Sequence, residues 1–224
     1  MGFDDAGTVA AAASRVTVIS MVRSIAVLAF LITTIAHAQY DPKELSMLPP
    51  YCKYTKLYTV AVPGGNNRAE IERWSAIMGS HNFMHMHHYC FGLWHINGAL
   101  YFARTKLDRD RDLGYAIPEF DYVIRNVASD FAVLPEILTK KGETLIRLGK
   151  APQGILELGR AIELKPDYWP PYAALSDHYK ATGDTALARQ WLEKGLSAAP
   201  GTKALQRRLE ELNAPKARHK AVTD

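Results

Sequence analysis

Between residues 135 and 202, apolar side chains recur every three or four positions, and glycine and proline interrupt them at regular distances. Leu145, Leu148, Ile155, Leu158, Ile162 and Leu164 form the clearest run. Spacing of that kind gives each of two successive helices one apolar stripe. The pattern returns 34 positions later, aligning Leu138 with Tyr172, Leu145 with Tyr179, Gly149 with Gly183, Leu158 with Leu192, Ile162 with Leu196 and Pro166 with Pro200. Gly149 and Gly183 fall where a helix must stop and reverse within about three residues, a turn that favours positive φ. Pro166 and Pro200 end the second helix of each unit, because proline lacks the N–H that a continuing helix needs. Pro152 falls in the first turn of a helix, where that loss is tolerated. Ala161 and Gly195 hold the position at which the two helices approach most closely. A lone hairpin cannot bury both of its stripes, so the units 135–168 and 169–202 must stack.

Upstream the pattern is less regular. Residues 39–66 carry four prolines (Pro42, Pro49, Pro50, Pro63) and a PGGNN turn, and read as an irregular N-terminal cap. Within it, YCKYTKLYTV predicts one extended, strand-like piece. Residues 67–134 predict a helical region containing a degenerate first repeat. Asn67 followed by Glu70 opens a long helix that runs through Trp74 and Ile77 and breaks at Gly79. A second helix is expected from about Phe83 to Arg104, and a third from about Ile117 to Ala128. The charged run KLDRDRD at 106–112 reads as an exposed turn between them. Downstream, ALQRRLEEL has one apolar face and predicts a terminating helix over 203–213. Residues 214–224 form a small basic tail, expected to be disordered.

The strings LIRLGKAPQGILELGRAIELKPDY and YAALSDHYKATGDTALARQWLEKGLSAAP closely resemble tetratricopeptide repeats (TPRs), helix–turn–helix units with a period of about 34 residues. The resemblance implies an all-α, TPR-type solenoid of antiparallel helix pairs, and a binding scaffold as its function. Gly154 departs from the family pattern, which places alanine there. A wider likeness, carried by LPPYC, VPGGNN, HMHHYC, EFDYVI and LPEILTKKGE, is to exported bacterial TPR proteins. It implies a compartment as well as a fold, and no reaction.

Export is also written in the N-terminus. Arg23, the apolar run SIAVLAFLITTI and Ala36-His37-Ala38 follow in the order of a secretory signal peptide. The run is shorter than the roughly 20 residues of a membrane span. Cleavage after Ala38 is expected, making 1–38 a leader, with Met21 as an alternative start. The mature chain would then be periplasmic or secreted, with no stable membrane span. In that compartment the two cysteines, Cys52 and Cys90, are expected to form a disulfide and to staple the cap onto the first long helix. The net charge of +4 is a mild excess and gives no argument for nucleic acid as a partner.

The densest local chemistry is SHNFMHMHHYCFGLWH, residues 80–95. On a helix, His81, His85, His88 and His95 share a face within an arc of about 80°. Imidazoles so spaced, with the Met84 thioether, could hold a zinc or copper ion. They could equally serve as the polar members of an aromatic packing layer among Phe83, Tyr89, Phe91 and Trp94, or titrate near neutrality as a pH sensor. No C-x-x-C pair, phosphate loop or G-x-S-x-G elbow accompanies them, and the chain does not read as an enzyme.

The leading expectation is therefore an exported scaffold that binds a protein or peptide in a concave groove, in cell-envelope assembly or secretion, without a cofactor. Repeat geometry assigns to the groove Glu136, Thr139, Glu143, Arg147, Ala173, Asp177 and Lys180. Thr139 and Glu143 stand where carboxylate-clamping TPR domains carry basic residues, so a C-terminal carboxylate is not the expected ligand. Oligomeric state is not encoded in any pattern found.

Overall fold

A computed structural model describes residues 42–214. The leader with its cut after Ala38, and the tail beyond Ala214, lie outside the described residues. Among those described, the chain is all-helical, with ten α-helices, one 3₁₀ turn, one π turn and no strand. None of the helices is long and apolar enough to cross a membrane.

The cap comprises α1 (Pro42–Ser46), the 3₁₀ turn Pro50–Tyr54 and α2 (Tyr58–Ala61). No extended piece forms at YCKYTKLYTV, contrary to its aromatic and β-branched composition. Pro50 starts a tight turn, and the Thr55 hydroxyl donates to the Cys52 carbonyl at 2.8 Å, closing it. Tyr51, Cys52 and Tyr58 are buried, so tertiary burial outweighs the local preference. Gly65 is required where it stands: a Cβ there would lie 2.7 Å from the Tyr58 carbonyl oxygen and 2.8 Å from that of Lys53.

Helix α3 (Arg68–Met78) begins as expected, with Asn67 Oδ1 accepting from the Glu70 amide at 3.3 Å, and stops at Gly79 (φ 79°). Helix α4 (Ser80–Asn97) then passes into a π turn, Gly98–Phe102, instead of continuing to Arg104. The next helix, α5 (Lys106–Asn126), swallows the charged run that reads as a turn. Thr105 caps it, accepting from the Asp108 amide at 3.1 Å, and the run pairs Lys106 with Asp110 and Arg111 with Asp108 within the helix. Opposite charges three and four apart favour helix over turn.

Two hairpins follow, α6 (Leu134–Arg147) with α7 (Ala151–Leu164), and α8 (Pro170–Ala181) with α9 (Thr185–Ala198). Their turns use Gly149 (φ 77°) and Gly183 (φ 89°), as the repeat predicts. Pro135, Pro152 and Pro170–Pro171 occupy first turns. Gly154, the departure from the family pattern, has a physical reason: a Cβ there would lie 2.6 Å from the Gly142 carbonyl oxygen and 2.7 Å from Ile146 Cγ1. Helices α6 and α7 cross at those two glycines. Gly195 serves the same purpose against Tyr172 and Leu205. Helix α8 packs on both α6 and α7, and α6 packs on α5. Helix α10 (Lys203–Asn213) closes the series by seating Leu205 against Ala173 and Leu192.

Candidate functional site

Two regions carry the chain's expected chemistry, the first-helix face of the hairpins and the histidine face of α4. On α6, Glu136 is half-buried and accepts a hydrogen bond from the Tyr89 hydroxyl at 2.6 Å. Burial, reinforced by the Glu136 charge, raises the Tyr89 phenol well above its ordinary pKa, so it stays a donor. Tyr168, in the connection before α8, is also raised, by burial first and then by Glu136 and Glu143. Glu143 lies 3.3 Å from Lys140 and 3.7 Å from Arg147. Asp177 on α8 meets Arg208 of α10 at 3.2 Å, and Arg147, Asp177 and Lys180 are exposed.

Two expected groove residues are elsewhere. Thr139 is 1% exposed, and its hydroxyl donates to the Pro135 carbonyl at 2.7 Å. Ala173 is 4% exposed and belongs to the core with Leu192 and Leu205. Both stand next to the apolar stripe of their helix, and a neighbouring helix covers them. Tyr89 and Tyr168 were absent from the expected site. Their contacts cross 47 positions or a helix connection, and no local pattern marks them.

A second ionic feature ties the hairpins to α5. Lys141 reaches Asp121 at 2.7 Å and Glu157 at 2.5 Å, and Arg160 bonds the other Glu157 oxygen at 2.7 Å. Glu157 is 10% exposed at its side chain, and Lys141 13%. One ammonium thus joins α5, α6 and α7 where their apolar faces meet.

Helix α4 explains the histidines differently from metal ligation. It contacts α1, the 3₁₀ turn, α3, the π turn and α5, and its Phe83, Met86, Tyr89 and Cys90 are buried. Each histidine meets a protein partner. His81 Nε2 donates to the Asn126 carbonyl at 2.9 Å and His87 Nδ1 to the Met84 carbonyl at 2.9 Å. His88 Nδ1 donates to Glu119 at 2.6 Å while its ring lies 3.7 Å from that of Tyr122, centroid to centroid. His85 is 9% exposed between His81 and Tyr122. His95 turns away to stand between Trp94 and Tyr115. The shared helical face therefore does not converge on a point. Among the described residues, no group of three His, Cys, Asp or Glu side chains is arranged to hold a metal ion, and Met84 is 53% exposed. Burial lowers the pKa of His85, with His81 and His88 adding to the effect, and that of His87, to about 4. Both are neutral packing groups at pH 7.

Cys52 and Cys90 are disulfide-bonded, with Cα atoms 5.6 Å apart. The bridge fastens the 3₁₀ turn of the cap to α4, not to the first long helix, α3. It thereby holds Tyr51 beside Tyr89 and the Glu136 carboxylate, whose charge raises both phenols after burial.

No protein-family model, curated protein or solved structure matches this chain.

Proposed function

We propose that the chain is an exported TPR-type scaffold that binds a protein or peptide along the face formed by α6 and α8. The observation that carries the reading is the pair of positive-φ glycines, Gly149 and Gly183, 34 positions apart in matching turns. They set two like hairpins side by side, and repeated hairpins of this kind curve into a concave binding surface. The groove keeps Glu136, Glu143, Arg147, Asp177 and Lys180 and gains Tyr168. That mixture of charges with an aromatic ring fits an extended, polar segment better than a single apolar helix. The disulfide fits an oxidising compartment, in agreement with the signal-like leader.

A photo-crosslinking side chain placed at Arg147 or at Lys180 tests the proposal in cells that export the full chain. A discrete protein adduct is expected from both positions. The same probe at Leu156, exposed on α7, should trap nothing comparable. Equal adducts from all three sites would refute groove binding. Mass measurement of the exported chain checks the leader separately, with Gln39 expected as its first residue.

A further inference from the structure

The π turn has a consequence outside the groove. Helix α4 runs into Gly98–Phe102, where the Ala103 amide donates to the Gly98 carbonyl at 2.8 Å, before α5 starts at Lys106. Single π turns within helices occur frequently at functional sites. Here the extra residue delivers Phe102 to a cleft of about 470 Å³, walled also by Trp94, His95 and Tyr115. Its volume is that of a small-ligand site.

The polar groups lining the cleft nearly cancel in charge. Glu44, Asp108 and Asp112 contribute three carboxylates, against the two guanidiniums of Arg104 and Arg111, and the Lys43 ammonium stands 5.8 Å from the centre of the Phe102 ring. Burial lowers the pKa of His95 and keeps its ring neutral, although Asp112 and Glu119 pull the other way. An ionic ligand would gain little net attraction from such a lining.

Part of the set is internally engaged. Arg111 bonds Asp108 at 3.0 Å and Asp112 at 3.3 Å, and Trp94 Nε1 donates to Glu44 Oε2 at 2.6 Å. The first pairing fixes two acids and the second fixes the indole plane. Donors and acceptors remain side by side: the Arg104 guanidinium, both ring nitrogens of His95 and the Tyr115 hydroxyl, with the second oxygens of Glu44 and Asp112 as acceptors. Flat aromatic faces and planar polar side chains of both kinds, with little net charge, match a molecule with apolar C–H faces and a rim of hydroxyls.

We propose that this cleft binds one neutral pyranose ring, free or as a unit of a longer glycan, stacked on Tyr115 beside Trp94 and hydrogen-bonded at its edge by His95, Arg104 and Asp112. The site lies apart from the α6–α8 face and stands whether or not that face binds a protein.

The test is a titration of the isotopically labelled, oxidised protein with the methyl glycosides of glucose, galactose and mannose. It is read at the indole N–H resonances of Trp74, Trp94, Trp169 and Trp191. At least one glycoside should move the Trp94 signal selectively and saturate with a Kd of order 1 mM, typical of weak monosaccharide-sized ligands. Tyr115→Ala should weaken that binding about tenfold, equivalent to about 1.4 kcal/mol, and Arg104→Gln should also weaken it. Tyr115 is 53% exposed and Arg104 is exposed, so both variants are expected to fold; an unchanged melting curve checks this. Benzylamine and benzoate, an aromatic cation and anion, are titrated alongside. Saturation by either charged probe with no response to any glycoside would overturn the proposal. So would a uniform drift of all four indoles, or unchanged glycoside binding in Tyr115→Ala.

Discussion

Two glycines in α7 give the repeat reading a sharp physical test, because their surroundings are opposite. Gly154 and Gly159 lie five residues apart in one helix. Alanine at either gains the same intrinsic helix preference, about 0.5–1 kcal/mol. Around Gly159 no heavy atom lies within 4 Å of an added Cβ, whereas at Gly154 the methyl would lie 2.6 Å from a backbone oxygen of α6 and 3.1 Å from the Ile146 amide nitrogen. Backbone cannot swing aside as a side-chain tip can, so α6 and α7 must separate, at a cost of about 1–3 kcal/mol. Gly159→Ala should therefore stabilise the protein by about 0.5–1 kcal/mol, and Gly154→Ala should destabilise it, by up to about 2.5 kcal/mol net. The intrinsic gain is common to both and cancels in their difference, which isolates the crossing of α6 over α7. Urea denaturation of the oxidised chain, followed by far-ultraviolet circular dichroism, measures it as a shift of midpoint at unchanged slope. Equal shifts of the same sign for the two variants would refute the crossing at Gly142 and Gly154.

Three further outcomes are expected. Reducing the Cys52–Cys90 bridge, which spans 38 positions, should cost about 4 kcal/mol on the chain-entropy model, seen as an earlier urea midpoint in reductant; a loss under about 1 kcal/mol would mean that the cap is held by packing alone. Lys141→Met leaves Glu157, among the described residues, with Arg160 alone as a paired cation and should destabilise the fold by about 2 kcal/mol, while Lys140→Met, on a more exposed pair, should change stability by less than about 0.5 kcal/mol. The pH dependence follows from His87, whose folded pKa is about 4 against an ordinary 6.5. Between those values the unfolded chain binds the extra proton, so the stabilising effect is complete above pH 6.5 and declines as pH falls toward 4, by up to about 1.4 kcal/mol per unit and proton. His85, lowered in the same direction, adds to the decline, and His87→Asn should flatten it.

The hairpins were legible because their signals are local. A glycine that must turn, a proline that must stop a helix and a stripe at helical spacing each act within a few residues, and together they place α6 to α10 closely. The errors arise where a local pattern has two physical outcomes. KLDRDRD reads as a solvated turn from its charge, yet the same residues form ion pairs once Thr105 caps a helix. YCKYTKLYTV has a strand's composition, but Pro50, the Thr55 side chain and burial of Tyr58 bend it into turns. Repeat position alone points Thr139 and Ala173 to the groove, and both are buried. Position within a repeat fixes the angle around a helix, and the neighbouring helix decides whether that angle faces water. The link from Tyr89 to Glu136 joins α4 to the first hairpin, and a contact between partners so far apart leaves no trace in either local pattern.

The histidines show the same ambiguity at the level of chemistry, and the reason lies in where α4 sits. A helix contacted by five other elements needs side chains that bury a flat body yet bring a polar tip to whatever backbone ends nearby. Leucine would fill the same spaces but leave the Asn126 carbonyl, at the end of α5, without the His81 donor. Lysine could donate but would carry charge into the contact. Imidazole does both tasks, and His81 and His87 are each placed to do so. His88 differs in taking a carboxylate, Glu119, across to α5, with Tyr122 against its ring. The i, i+4, i+7 spacing that resembles a ligand set is thus also the spacing that a helix imposes on any residue type facing one neighbour. What separates the two meanings is what the ring nitrogens bond. In α4, His81, His87 and His88 each commit a nitrogen to a different protein partner, and His95, the outlying member, is the one that faces a cleft.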